Sequence, residues 1–284
     1  MDSAARQPLA ADTPFEVEAV QIAMWQRMTP ADKAQLIVSM CCGMQEAATH
    51  GVQMRYPQAG PREQFLRLAI LRLGYDLAVE AFPDAANLTE RSTLVTDANP
   101  WLVVAEVARV FDALGVRYAV GGSLASGVVG EPRSTIDADL VAELQPQHID
   151  PLVAELSPRF YIPIERLRSA VRERQSVNLI DQDTAVKVDI FVAGGTPLDD
   201  AALTRRLPFA PRSVARTLYI HTPEDVLLQK LRWYRRGGET SDRQWRDVVG
   251  IVRVQGARLD RSYLAYGADL LGVTDLLTRV LAQE

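Results

Sequence analysis

Between residues 13 and 82, apolar side chains return every three or four positions, the spacing that lines one face of an α-helix. The stretch "TPFEVEAVQIAMWQRM" places Phe15, Val17, Val20, Ile22 and Met24 in such a series. The next, "TPADKAQLIVSMCCGMQEAATHG", offers Thr29 as N-cap and Pro30 in the first turn, with Gly51 as the stop. A third, "GPREQFLRLAILRLGYDLAVEAF", keeps the same spacing as one run. None of the three gathers polar groups, so the pattern predicts helices that pack. Residues 83–99, "PDAANLTERSTLVTDAN", are polar and turn-rich and mark a domain boundary.

From Trp101 the period changes. A helix ("WLVVAEVARVFDALG") precedes a short strand ("RYAVG"), a glycine turn, a short helix and the strand "IDADLVAEL". Helices near 147–157 and 165–174 follow, then the strands "SVNLI", "AVKVDIFVA" and "ARTLYIH", and helices fill 222–283. The pattern predicts an α/β (α+β) fold: a mixed sheet with flanking helices, an N-terminal helical region and a C-terminal helical tail. The expected units are 1–90, a core at 91–215 and a helical subdomain at 216–284.

Composition changes this picture little. The chain of 284 residues carries a net charge of -5 and only two cysteines, Cys41 and Cys42, adjacent and read as reduced thiols in a helix. No stretch approaches the 18 apolar residues of a membrane span, and the N-terminus lacks a secretory leader, so a soluble, cytoplasmic protein without membrane contact is expected. Charge is uneven: residues 201–261 hold 13 Lys/Arg and 6 Asp/Glu, a balance of +7 against -12 for the rest. Such a region suits a polyanion such as a nucleotide or RNA end, or is a solvated helix face.

The chemistry lies in the strands. Alternation puts Asp137 and Asp139 on one face and Ile136, Ala138 and Leu140 on the other. The later strand repeats the device, with Lys187 and Asp189 opposite Val186, Val188 and Ile190. Carboxylates on a core strand are costly unless neutralised, and a hard divalent cation such as Mg²⁺ does this well. Gly121 and Gly122 permit close backbone approach, and Ser123 opens a helix whose free N–H groups favour phosphate. The alternative is a plain turn beside aspartates on an exposed edge. There is no GxGxxG and no GxxxxGK[ST].

The order Val120-Gly121-Gly122-Ser123, thirteen residues, Asp137-x-Asp139 and a later strand-borne Asp189 resembles the DNA polymerase β-like nucleotidyltransferase superfamily. The wording "GGSLASGVVGEPRSTIDADL", with Arg133 and Thr135 before the aspartates, looks most like its toxin-type, abortive-infection-like branch. The likeness covers about residues 101–283. It implies a nucleotidyltransferase-type sheet in which Gly121, Gly122, Ser123, Arg133, Thr135 and Lys187 hold the nucleotide. Asp137 and Asp139 would bind Mg²⁺ (or Mn²⁺), and Asp189 would complete the metal site or act as base on an acceptor hydroxyl. In the tail "HTPEDVLLQKLRWYRRGGETSDRQWRDVVGIV", Lys230 and Arg246-Asp247 match the branch's Lys and Arg-Asp. Lys230 would reach a triphosphate, and Asp247 would orient it or pair with Lys230. The alternative is a surface lysine and a helix-supporting aspartate.

The implied activity is Mg²⁺-dependent transfer of a nucleoside monophosphate from NTP to an acceptor hydroxyl on tRNA, a protein or a small molecule such as an aminoglycoside. A toxin role with an antitoxin partner follows from the same likeness. The competing expectation is an inactive nucleotide- or RNA-binding module of the same fold. Trp233, Tyr234 and Trp245 read as helix-packing aromatics, the alternative being a base-stacking platform, and His50, His148 and His221 are scattered, with a structural role for His221.

Overall fold

The computed structural model describes residues 13–86, 99–135 and 137–283. Four helices open the chain: α1 (Phe15–Arg27), α2 (Pro30–Arg55), α3 (Pro61–Leu73) and α4 (Tyr75–Ala81). Thr29 caps α2 in a reciprocal box with Asp32, and Pro30 fills its first position, where the missing N–H costs nothing. Gly51 does not end α2, which continues to Arg55. A mid-helix glycine costs about 1 kcal/mol relative to alanine, which packing overrides. The run after Gly60 is not one helix, because Gly74 adopts φ 79° and separates α3 from α4. The expected boundary at 83–99 falls mostly outside the described residues, and Pro83–Ala86 form a 3₁₀ turn.

Next come α5 (Pro100–Ala113), β1 (Tyr118–Val120), α6 (Gly122–Val129), β2 (Asp137–Ala142) and α7 (Pro146–Leu156). Then follow β3 (Phe160–Tyr161), α8 (Ile164–Glu173), β4 (Ser176–Asp181), β5 (Lys187–Val192), α9 (Pro197–Arg205), β6 (Leu207–Phe209) and β7 (Leu218–Ile220). Four helices close the chain: α10 (Pro223–Arg236), α11 (Asp242–Gln255), α12 (Arg261–Leu271) and α13 (Thr274–Leu281). β3, β6 and α9 carry no strong sequence period. The strands are only two and three residues long, and α9 is set mainly by its Thr196–Asp199 capping box.

The strands form one mixed sheet of order β3-β4-β5-β2-β1-β7-β6, parallel at β2–β5 and β1–β7. The aspartate strand β2 is therefore central, which removes the exposed-edge alternative. The fold is α/β, a mixed sheet with helices on both sides. One sheet face carries Ala138, Leu140, Val188 and Ile190, each fully buried in a core shared with α5, α7 and α8. Ile136 lies outside the described residues. The same core takes Ile37 from α2 and Leu227, Ile251 and Val280 from the tail.

The N-terminal helices pack, and they are also tied to particular loops. Arg253 on α11 pairs with Glu18 on α1 at 2.5 Å, both buried. The Lys33 ammonium donates to the Gly130 carbonyl at 3.1 Å, and burial lowers its pKa to about 8. Cys41 is buried with its Sγ 3.1 Å from the Thr135 carbonyl. Lys33 and Cys41 thus clamp the two ends of the 130–135 segment that leads into β2.

Candidate active site

Register brings the carboxylates together. In the parallel β2–β5 pair, Asp137 lies opposite Lys187 and Asp139 opposite Asp189, fifty residues away in the chain. All four side chains leave the sheet on the face opposite the core. The Lys187 ammonium sits 3.0 Å from Asp189 and 3.3 Å from Asp137, bridging them. Lys187 is thus an internal counter-ion for two aspartates, and it does not line the cavity described below.

The glycine turn meets the sheet at Asp139. β1 runs antiparallel to β2, Gly121 N–H donates to the Asp139 carbonyl at 2.9 Å, and α6 begins at Gly122. Gly122 adopts φ 54°, and a Cβ built there would overlap the Asp139 carboxylate. The close approach that this glycine permits is thus, in the first instance, that of Asp139. The carboxylate also accepts a bond from the Ser123 N–H at the start of α6.

That donor does not compensate for burial. Burial first, then the Asp189 charge, pushes the Asp139 pKa up to about 6 despite the opposing charge of Lys230. Burial also raises Asp189, against the pull of Lys187, and its Oδ1 is buried with no hydrogen-bond partner. Charged oxygens that lack compensation are what a hard cation would satisfy, so the donor chemistry fits Mg²⁺. Among the described residues, however, no three His, Cys, Asp or Glu side chains gather tightly enough to hold an ion. The arrangement is that of a site held by Lys187.

A second wall comes from the tail. The Lys230 ammonium on α10 donates to Asp247 on α11 at 2.7 Å, with side chains 9% and 5% exposed. Arg133 grips the same carboxylate with two bonds of 2.8 Å and donates to Ser123 Oγ at 2.6 Å. Burial would raise Asp247, but these cations outweigh it and hold the carboxyl below the usual range. Lys230 is therefore no surface lysine, and Asp247 pairs with it as one of the two expected roles required. Arg246 turns to Glu131. Thr135 supports the bend before β2, its hydroxyl donating to the Asp137 carbonyl at 3.1 Å.

These walls enclose one cavity of about 980 Å³. One end holds Gly122, Ser123, Arg133, Lys230 and Asp247; Asp137 and Asp139 lie on its floor; the other end holds Arg174, Ser176, Phe191, Asp199, Arg232 and Trp233. At the far end, Phe191 is a residue that the sequence reading missed, and Trp233 is one that it favoured as helix packing. Phe191 lies two positions after Asp189 and so on the same strand face, a signal that alternation carries. Trp233 is 43% exposed, unlike Tyr234, which is buried and packs on Trp245 with ring centroids 5.2 Å apart. His221 has the expected structural setting: it is fully buried, its pKa lowered to about 4 by burial, with a Gln229 contact at 3.2 Å.

The basic region proves mostly committed. Arg205, Arg212, Arg216, Arg235, Arg246 and Arg253 all form ion pairs with acids. Arg232, Arg236 and Arg243 line the cavity with no carboxylate at ion-pair distance among the described residues. No described helix is long and apolar enough to cross a membrane.

No family model and no curated protein matches the chain. Among solved structures, an antigenic nucleotidyltransferase-like protein from Paracoccidioides brasiliensis is similar at 21% identity and a TM-score of 0.41, over 68% of this chain and 96% of that one. The antibiotic-resistance factor ANT(2'')-Ia is similar at 12% identity and TM-score 0.41, over 66% and 96%. Its structural neighbours thus include nucleotidyltransferase-like proteins.

Proposed function

We propose that the chain is a divalent-cation-dependent nucleotidyltransferase, moving a nucleoside monophosphate from NTP to an acceptor hydroxyl. The observation that carries this reading is the single cavity in which Asp137 and Asp139 on a central strand face the α6 N-terminus and the Arg133–Asp247–Lys230 wall. Phosphoryl transfer needs positioning and charge neutralisation more than covalent chemistry. In this reading Gly122, Ser123, Arg133 and Lys230 receive the triphosphate. Asp137, Asp139 and Asp189 hold Mg²⁺, which would neutralise charge on the α-phosphate and leaving pyrophosphate. Asp247 keeps Lys230 and Arg133 aimed at one point. The alternative role for Asp189 is that of base on the acceptor hydroxyl; what supports it is a carboxyl that burial holds above the ordinary range.

Within this reading the chain acts as the toxin of a toxin–antitoxin or abortive-infection pair. What supports that step is the Arg133-x-Thr135-x-Asp137-x-Asp139 pattern alone. One observation favours a second reading, nucleotide binding without turnover: the Lys187 ammonium bridges Asp137 and Asp189. Pyrophosphate release separates the two. The protein with Mg²⁺, each NTP and total RNA or protein is expected to release pyrophosphate, and Asp137→Ala with Asp139→Ala to abolish it. NTP binding with no release by the wild type would support the second reading.

A further inference from the structure

The far end of the cavity has features that the triphosphate, cation and proton transfer leave unused. On β5 the row Lys187, Asp189, Phe191 shares one face, with the Asp189 and Phe191 Cα positions roughly 7 Å apart along the strand. On α10 the cavity side reads Lys230, Trp233, Arg236 at three-residue spacing. The two rows converge, with ring centroids of Phe191 and Trp233 5.7 Å apart at 59°. The indole stays 43% exposed, and the Arg236 guanidinium lies 5.5 Å from its centroid. An exposed tryptophan braced on phenylalanine inside a cavity is a rigid π-surface.

Charge decides what fits it. The acids at this end are committed: Asp199 accepts the N–H groups of Gly195 and Thr196, and Asp225 accepts the Thr222 and Tyr263 hydroxyls. Arg232, Arg236 and Arg243 have no carboxylate at ion-pair distance among the described residues. A polycation would be repelled here. A flat ring attached to phosphate finds both a stacking surface and counter-charges.

We propose that the Phe191–Trp233 pair is a nucleobase seat, with Arg236 beside it for the attached phosphate. The inference rests on the transferase reading above and adds where a base goes. Two sources share this chemistry: the donor NTP and the end of an acceptor RNA. Aromatic stacking of a base is sequence-tolerant, and losing it costs about ten- to a hundredfold in affinity.

The test titrates the full chain by calorimetry with each NTP, with inorganic tripolyphosphate and with a short single-stranded oligoribonucleotide. Wild type is compared with Trp233→Ala and Trp233→Phe, and circular dichroism on the same samples checks the fold. Loss of about tenfold or more in NTP affinity in Trp233→Ala, with tripolyphosphate unchanged and Trp233→Phe retaining most binding, assigns the seat to the donor base. The same loss for the oligoribonucleotide alone assigns it to the acceptor. Wild-type affinities in Trp233→Ala for every ligand, or equal weakening of tripolyphosphate, overturn the seat while leaving the transferase reading intact. Failure of the wild type to bind any of the three overturns both.

Discussion

Replacing Asp247 tests the wall that faces the aspartates. Its carboxylate, 5% exposed, takes one bond from Lys230 and two from Arg133, which also holds Ser123. Asp247→Ala leaves two cations facing each other with no anion between them. Breaking a buried pair from one side costs about 3–5 kcal/mol, mostly from stranding the remaining charge. Arg133 is 20% exposed and reaches water, which favours the lower end, about 3 kcal/mol. At about 2–4 °C per kcal/mol for a chain of this size, Tm falls by about 6–12 °C. Lys230→Met is milder, since Asp247 keeps both Arg133 bonds: a loss of about 1.5–3 kcal/mol for one charge-assisted bond. The double variant removes the stranded ammonium and costs less than the sum of the singles by at least about 1 kcal/mol. Urea denaturation of the four proteins gives the cycle, and calorimetry with NTP gives the ligand side, where Lys230→Met and Asp247→Ala both weaken binding about tenfold or more. Singles that add within about 0.5 kcal/mol, or Lys230→Met with wild-type NTP affinity, would refute the wall as a coupled, ligand-facing unit.

Other outcomes follow from the same geometry. Gly122→Ala lowers stability by more than about 1 kcal/mol, because the residue has φ 54° and its Cβ meets Asp139; Asp139→Ala in the same chain recovers part of that loss, as thermal melts of the pair would show. Asp139 titrates at about 6 against about 4 when unfolded, so its contribution to stability falls as pH rises from 4 to 6; His221, at about 4 against about 6.5, contributes stability that is lost as pH falls over nearly the same window. The two slopes oppose, so Asp139→Asn should expose a loss of stability on acidification and His221→Gln a gain, measured by urea midpoints from pH 4 to 7. Mg²⁺ with NTP raises Tm in the wild type and not in Asp137→Ala with Asp139→Ala, and Lys187→Met gives a larger Mg²⁺ response by removing the bridging ammonium, as differential scanning fluorimetry would report.

What the sequence carried was local. Alternation along β2 and β5 placed Asp137, Asp139, Lys187 and Asp189 on outward faces, and Thr29 marked a helix start, because these depend on neighbours within a few residues. The pairing of Asp139 with Asp189 depends on strand register across fifty residues, which no local period encodes. Gly122 was legible as a glycine that something approaches, but that the approaching group is Asp139 follows only from the β1–β2 pairing. The basic balance of 201–261 did not show which charges are committed: six of its arginines pair with acids from Glu18 to Asp275 that sequence distance hides, while Arg232, Arg236 and Arg243 line the cavity. Trp233 shared one helix and one aromatic character with Tyr234, and only the tertiary position of Phe191 separates an exposed cavity wall from a packing residue.

Label position distinguishes nucleotidyl transfer from every other use of an NTP. The protein is incubated with Mg²⁺ and each NTP, labelled in parallel at the α- or the γ-phosphate, together with total RNA and protein. The α-label is expected to become attached to an acceptor while the γ-label leaves in pyrophosphate, and Asp137→Ala with Asp139→Ala is expected to do neither. Attachment of the γ-label, or no attachment of either label with any NTP, would contradict nucleotidyl transfer.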